Sequence, residues 1–128
     1  MMEKSTTNTP SPYDRVYRGE RQPDPETGVL EVLVTVSDEQ SVRLLNPRLD
    51  LWNHSPTGFE WGYGGSGPAQ LALAILADFL NDEEAAVSLH QKFKFQVIAG
   101  LPKRNWELSA HQIAAFVISH PLADYDPD

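Results

Sequence analysis

The residue types best suited to chemistry lie in one stretch, between Asp50 and Gly67. His54 lies there with Asp50 before it and Glu60 after it, and a histidine beside a carboxylate can act as a general acid–base pair. The same side chain can instead make local hydrogen bonds that hold an irregular segment in place. We favour this structural role, and the sequence gives no catalytic residue that we would assign.

Glycine is the second chemical feature of this stretch. Five of the eight glycines fall between Gly58 and Gly67, directly before Pro68. Glycine allows a positive φ or a close approach of the backbone, and a helix N-terminus presents unpaired N–H groups that attract anions. A ligand- or anion-binding site is therefore a hypothesis, with candidate residues Arg18, His54, Gly64, Gly65, Ser66 and Gly67. Close packing of the glycine backbone against tryptophans is the alternative, and the one that we favour.

Familiar nucleotide-binding motifs do not account for the glycines. No lysine occurs between Gly58 and Gly67, which excludes a phosphate-binding P-loop. Gly62, Gly64 and Gly67 do fit the spacing G-x-G-x-x-G. That motif needs a βαβ unit with an acidic residue after the next strand, however, and the next predicted element here is another helix.

A mixture of basic and aromatic residues follows in the second half of the chain, and single-stranded nucleic-acid sites use such mixtures. The basic residues are Lys92, Lys94, Lys103 and Arg104. On a helix Phe93 and Phe95 point about 200° apart, so they do not form one stacking platform. The net charge of −8 also argues against a non-specific grip on phosphates. Nucleic-acid binding is therefore the last of our hypotheses.

Composition excludes several kinds of site and of cellular location. The chain has no cysteine, which excludes disulfides, thiolate zinc sites and a cysteine nucleophile. The four histidines lack metal-binding spacing, so we expect neither a metal nor a cofactor. The first residues are not a signal peptide, and the longest apolar run, from Leu71 to Ala77, is too short to span a bilayer. We expect a cytoplasmic protein with no membrane partner, whose acidity suits a basic protein partner.

The elements that must position these residues form one predicted domain over residues 12–121, between a flexible tail (1–11) and an acidic tail (122–128). β-Branched and alternating residues predict strands over Tyr13–Arg18, Val29–Val36 and Ser41–Leu45. A further short strand is possible over Phe59–Tyr63, before the glycines.

The second half predicts three helices. The first runs from Pro68 to Leu80, apolar on all sides and therefore central, with Gln70 placed to reach back to the helix cap. Asp82 caps the second helix, which ends by Gly100, and a capping box at Ser109 opens the third. The order predicts an α+β fold, with a small antiparallel sheet packed against a three-helix layer.

The stretch from His54 to Leu76 is similar to the hallmark of a small prokaryotic family of unknown function, found in bacteria, archaea and their viruses. The resemblance extends from Tyr17 to Trp106. The residues that carry the signature are Trp52, Phe59, Trp61, Tyr63, Pro68 and Gln70. The resemblance implies no catalytic residue; by analogy it implies a small accessory protein of a phage or mobile element that acts on host machinery.

These observations lead to three hypotheses. The first is a non-enzymatic protein–protein interaction module of a phage or mobile element, with a host or phage protein as partner and a host defence complex as one candidate target. The second is a small-ligand or anion-binding protein, enzymatic or not, that uses the glycine-rich loop. The third is single-stranded nucleic-acid binding.

Overall fold

The computed structural model describes residues 11–120. In chain order it contains a 3₁₀ turn (Pro12–Asp14), β1 (Val16–Pro23), β2 (Leu30–Ser37), β3 (Val42–Leu44), α1 (Ser66–Leu80), α2 (Glu83–Gln96), a second 3₁₀ turn (Ile98–Gly100), β4 (Trp106–Ser109) and α3 (Ala110–Ser119). Apart from Ser11, the predicted tails at 1–11 and 122–128 lie outside the described residues.

The strands form one antiparallel sheet in the order β3-β2-β1-β4. Side chains alternate between its two faces. Tyr17 of β1 and Val34 and Val36 of β2 are buried on the face that the helices cover. The predicted α+β fold, a small antiparallel sheet against a layer of three helices, is confirmed.

The first strand begins later than the sequence predicts. Tyr13 lies in the 3₁₀ turn rather than in a strand, because Pro12 fixes a turn conformation and the Ser11 side chain accepts a bond from the N–H of Tyr13. β1 then continues to Pro23, into residues predicted as a loop. It pairs with β2 along its whole length.

The fourth strand is not at Phe59–Tyr63, where a short strand was considered possible. Gly58 and Gly62 have φ of 133° and 86°, which turns that segment out of an extended conformation. The fourth strand is β4, in residues for which the sequence predicted no strand. Its alternation is short but regular: Trp106 and Leu108 are buried, and Glu107 is exposed.

The helices follow the prediction closely, with one correction at a cap. Twelve of the fifteen residues of α1 are buried, as its apolar surface on every side indicates. Asp82 caps α2, and the capping box of Ser109 and Gln112 opens α3. The prediction that Gln70 reaches back to the cap of α1 was wrong: the cap is Gly65, and the side chain of Gln70 bonds the preceding loop.

Within residues 11–120, no helix is long and apolar enough to cross a membrane.

Candidate functional site

The four glycines from Gly62 to Gly67 differ in what surrounds them: Gly62 and Gly67 are constrained by backbone, whereas Gly64 and Gly65 face aromatic side chains. A Cβ atom on Gly67 would lie 2.7 Å from Cβ of Glu60 and 3.2 Å from its backbone nitrogen. Gly62 has a positive φ and donates its N–H to the carbonyl of Ile98 (3.1 Å). At Gly64 and Gly65 an added Cβ would meet only the rings of Phe95 and Tyr63, both well exposed. A side chain at position 67 would press against backbone, whereas one at position 64 would press only against a movable ring, so glycine is required more strictly at position 67.

A cleft of about 700 Å³ lies beside this junction, and we call it the β2 cleft. One wall is the first part of β2, Leu30 to Val32. The other wall comprises the loop from Ser55 to Glu60 and the start of α1 at Ser66 and Gly67. Its volume is in the range of ligand-binding pockets.

The charged residues in the lining of the β2 cleft are acidic. Glu31 and Glu60 line it, and among the described residues its lining includes no lysine, arginine or histidine. Glu60 is held from behind by Arg21, whose two terminal nitrogens lie 3.1 and 2.7 Å from the carboxylate oxygens. The guanidinium of Arg21 in turn lies 4.3 Å from the ring centroid of Trp61.

The β2 wall of this cleft is an open sheet edge. The N–H of Asp24 donates to the carbonyl of Val29, and bonds in an antiparallel ladder recur at every second residue, so Glu31 and Leu33 face β1. Leu30 and Val32 consequently direct their N–H and C=O groups away from β1.

β3 does not cover that side. It pairs with β2 only from Thr35 to Ser37, and one more bond joins the N–H of Leu45 to the carbonyl of Val34. Within residues 11–120, no strand pairs with Leu30 or Val32 on the side away from β1.

The structure does not bring the predicted ligand-binding residues together. Ser66 and Gly67 line the β2 cleft. Arg18 lies on the sheet face that points away from the helices, where it bonds Glu107 (2.7 Å) and Ser37 (2.8 Å). His54 is directed at His90 instead.

His54 and His90 form a pair, with their Nε2 atoms 2.9 Å apart. Nδ1 of His90 lies 2.6 Å from the carbonyl of Val87, and a carbonyl only accepts, so Nδ1 carries the proton and His54 donates to Nε2 of His90. Trp52 stacks on His54 with ring centroids 4.7 Å apart. Burial, followed by smaller effects of nearby charge, lowers the pKa of His90 below its ordinary value of 6.5.

The two carboxylates considered as partners of His54 are both paired with arginines. Asp50 forms an ion pair with Arg48, and Glu60 forms one with Arg21. Burial and the charge of Lys94 lower the pKa of His54 as well. The arrangement is a neutral histidine pair under a tryptophan, and within residues 11–120 the carboxylates predicted to assist a general base, Asp50 and Glu60, bond arginines instead.

Gln70 organises the loop that carries these residues. Fully buried in α1, it accepts from the N–H groups of His54 (2.7 Å) and Ser55 (3.1 Å), and it donates to the carbonyls of Pro47 (2.6 Å) and Trp52 (3.0 Å). All four hydrogen-bonding positions of its amide are used. The signal in the sequence was a polar residue inside an otherwise apolar helix.

The predicted nucleic-acid residues are not equally accessible. Lys94 is buried, with its Nζ atom 4.0 Å from the ring centroid of Phe95. Lys103 is exposed and donates to the carbonyl of Gly62, and Lys92 and Arg104 are exposed as well. A phosphate backbone at the surface could therefore reach only part of this set.

A second cleft, which the sequence analysis missed, lies at the other end of α1. It measures about 530 Å³, and we call it the arginine cleft because Arg15, Arg43 and Arg48 line it. Asp78 also lines it and accepts from Tyr17 (2.6 Å), Arg15 and Arg43. Asp78 was visible in the sequence as the only charge in α1, which was a signal for a buried ion-pair partner.

In residues 11–120 no group of three or more acidic, histidine or cysteine side chains could hold a metal.

Comparison with known proteins places the chain in a family. A model described as a family of unknown function, DUF6166, matches residues 17–119, and the chain belongs to that family. Neither a curated protein nor a solved structure is similar to it.

Proposed function

We propose that this member of the DUF6166 family is a non-enzymatic protein–protein interaction module that binds an extended, basic segment of its partner in the β2 cleft. The observation that carries the proposal is the open edge of β2 at Leu30 and Val32, which forms one wall of an acidic cleft.

Strand addition is the binding mode that this edge favours. An extended peptide can add to an exposed sheet edge, where backbone hydrogen bonds provide affinity and alternate side chains provide specificity. Leu30 and Val32 present their N–H and C=O groups for such bonds. The added strand would continue the sheet on the side where β3 stops pairing, with the loop from Ser55 to Glu60 as the facing wall.

The charge of the β2 cleft determines which kind of partner segment it would bind. Glu31 and Glu60 line the cleft, and the whole chain has a net charge of −8. A partner segment rich in lysine or arginine complements both, and complementary charge speeds association and excludes acidic competitors. Leu30 is 55% exposed, so the segment should also carry apolar residues at alternate positions.

The biological setting is part of the proposal. The resemblance to proteins of prokaryotes and their viruses supports a phage or mobile-element protein that acts in the cytoplasm on a host protein. A component of a host defence complex is a partner of this kind.

Selection from a displayed library of random peptides tests the binding mode. We expect enriched peptides to alternate basic and apolar residues. Val32→Pro removes the N–H at the open edge without removing a bond to β1, and should abolish their binding. Val42→Pro is the matched control, because it places proline at the outer edge of β3, where the N–H is equally unused by the β2 pairing.

Charge reversal tests the contribution of the carboxylates. Glu31→Lys should weaken binding of a selected basic peptide several-fold, while Glu39→Lys, an exposed site in the turn before β3, should not. Enrichment of acidic peptides, or equal loss of binding in Val32→Pro and Val42→Pro, would contradict the proposal.

A further inference from the structure

The basic side chains of this protein lie in two different environments. The five arginines from Arg15 to Arg48 all form ion pairs with carboxylates. In the part of the chain that the structure describes, no ion pair involves four further basic residues, Lys92, Lys94, Lys103 and Arg104. The sequence from 85 to 106, which contains these four, has no aspartate or glutamate. Among the described residues, the lysine and arginine charge that no carboxylate neutralises is therefore concentrated in this segment.

Two exposed aromatic rings lie on the surface beside this segment. Phe95 is 64% exposed and Tyr63 is 48% exposed. A Cβ atom on Gly64 would lie 3.2 Å from Cε1 of Phe95, and one on Gly65 would lie 2.7 Å from Cε2 of Tyr63. Since the two glycines are adjacent, the fold brings together two rings that are distant in sequence. The sequence analysis considered Phe93 as the companion of Phe95, but Phe93 is fully buried and Tyr63 takes that place.

Lysine side chains flank the two rings. Nζ of Lys94 lies 4.0 Å from the ring centroid of Phe95. Lys92 precedes Phe95 by three residues on α2, so both exposed side chains lie on one face of the helix. Lys103 lies over Gly62, where its Nζ atom donates to the carbonyl oxygen (3.2 Å). We call the surface formed by these side chains the lysine patch: Tyr63, Lys92, Lys94, Phe95 and Lys103.

We infer that the lysine patch binds single-stranded nucleic acid, with bases stacked on Phe95 and Tyr63 and phosphates paired with exposed lysines. Proteins that bind single strands combine these two components, aromatic side chains for the bases and basic groups for the backbone. Lys92 and Lys103 belong to separate elements, α2 and the loop before β4, which suits phosphates spaced along a strand better than one phosphate group.

Other polyanions match the patch less well. A duplex keeps the faces of its bases within its own stack, so the rings would have nothing to bind. An acidic peptide would use the lysines without using the aromatic rings. The patch adjoins the β2 cleft at Tyr63, but the inference does not depend on peptide binding there.

Fluorescence anisotropy with a labelled oligothymidylate of about twelve nucleotides tests the inference, since this length lies within the range of known single-strand sites. Binding at low salt should saturate and should weaken as salt is raised. A duplex of the same length, thymidine monophosphate and an aspartate-rich peptide, each used as a competitor, should bind much more weakly.

Replacement of one ring tests stacking. Phe95→Ala should weaken oligothymidylate binding about fivefold or more, the loss expected for one stacked base, whereas Phe95→Trp should retain binding. Ile118→Ala is the matched control, because Ile118 is a well-exposed apolar residue (77%) of α3, outside the patch. Its affinity should equal that of the native chain.

Replacement of one lysine tests the phosphate contact. Lys92→Gln should weaken binding several-fold and reduce its dependence on salt, because one phosphate contact is lost. Lys92 is exposed, so this variant should fold even if Phe95→Ala does not. Arg18→Gln changes the net charge equally but lies on the outer sheet face, paired with Glu107, and should bind normally.

Binding that does not saturate would overturn the inference. So would equal affinity for the duplex, the mononucleotide or the acidic peptide, unchanged affinity in folded Phe95→Ala, or an equal loss of affinity in Lys92→Gln and Arg18→Gln.

Discussion

Individual glycines near the start of α1 differ in the room they leave for a side chain. Gly67→Ala should lower the free energy of unfolding by about 2 kcal/mol, because the new methyl group overlaps Glu60, including its backbone. Gly64→Ala is the matched control. Its Cβ atom meets only the exposed ring of Phe95, which can move aside. Chemical denaturation of both variants measures the difference, and equal losses would show that the junction is not at Gly67.

The histidine pair predicts a pH dependence of stability. Burial lowers the pKa of both His54 and His90 in the folded chain, so the unfolded chain binds more protons below pH 6.5. The free energy of unfolding should therefore fall as the pH decreases from 6.5 towards these lowered pKa values. It should be retained above 6.5.

Replacement of one histidine isolates this contribution. His90→Gln should reduce the pH dependence measured by urea unfolding on either side of pH 6.5. His111→Gln should leave it unchanged, because His111 is exposed. An unchanged dependence in His90→Gln would show that the pair does not control it.

At the scale of elements, the sequence predicts those that follow strong local rules. The apolar surface of α1, the Asp82 cap of α2 and the Ser109 capping box are local patterns, and the structure contains all three. β4 was missed because four residues carry too little alternation to be distinguished from a loop. Its position is fixed by pairing with β1, distant in sequence.

Long-range contacts also explain why much of the candidate site could not be predicted. Three arginines close together in the sequence separate in the fold: Arg15 reaches Asp78, Arg18 reaches Glu107 on the outer face, and Arg21 reaches Glu60. Strand alternation places Arg18 on the face opposite Tyr17, but which of the two faces the helices cover depends on contacts distant in sequence. The open edge of β2 depends on where β3 stops pairing, which no local pattern encodes.

The irregular segment before α1 depends on one side chain. Gln70→Leu should destabilise the protein by about 3 kcal/mol or more, because it leaves two backbone N–H and two carbonyl groups without partners. Gln96→Leu, at the exposed end of α2, should have little effect. Thermal unfolding compares the two, and equal stability of Gln70→Leu and the native chain would remove Gln70 from this role.

Across the whole molecule, the charges follow the dipole of α1. The acidic β2 cleft lies at the positive N-terminus of this buried helix, and the arginine cleft lies at its negative C-terminus. The two ends of α1 therefore differ in the charged residues beside them: Glu31 and Glu60 line the β2 cleft, whereas arginines paired with carboxylates line the arginine cleft. The sequence indicates an acidic protein, but only the fold separates the two kinds of site.

Opposite charges predict a measurable salt response. Binding of a selected basic peptide to the β2 cleft should weaken as salt is raised, mainly through slower association, because exposed carboxylates are screened. Surface plasmon resonance at two salt concentrations measures both rates. An affinity that does not change with salt would show that the carboxylates of the cleft do not contribute to peptide binding. Binding at the open edge of β2 would then be tested separately.

The most direct test of the central claim is amide hydrogen exchange of Leu30 and Val32 with and without a selected peptide. Strand addition predicts that both amides exchange much more slowly in the complex, since their N–H groups become hydrogen-bonded to the added strand. The amides of Val42 and Leu44, at the outer edge of β3, should be unaffected. Protection of Val42 and Leu44 instead, or no protection at Leu30 and Val32 in a saturated complex, would contradict binding at the open edge of β2.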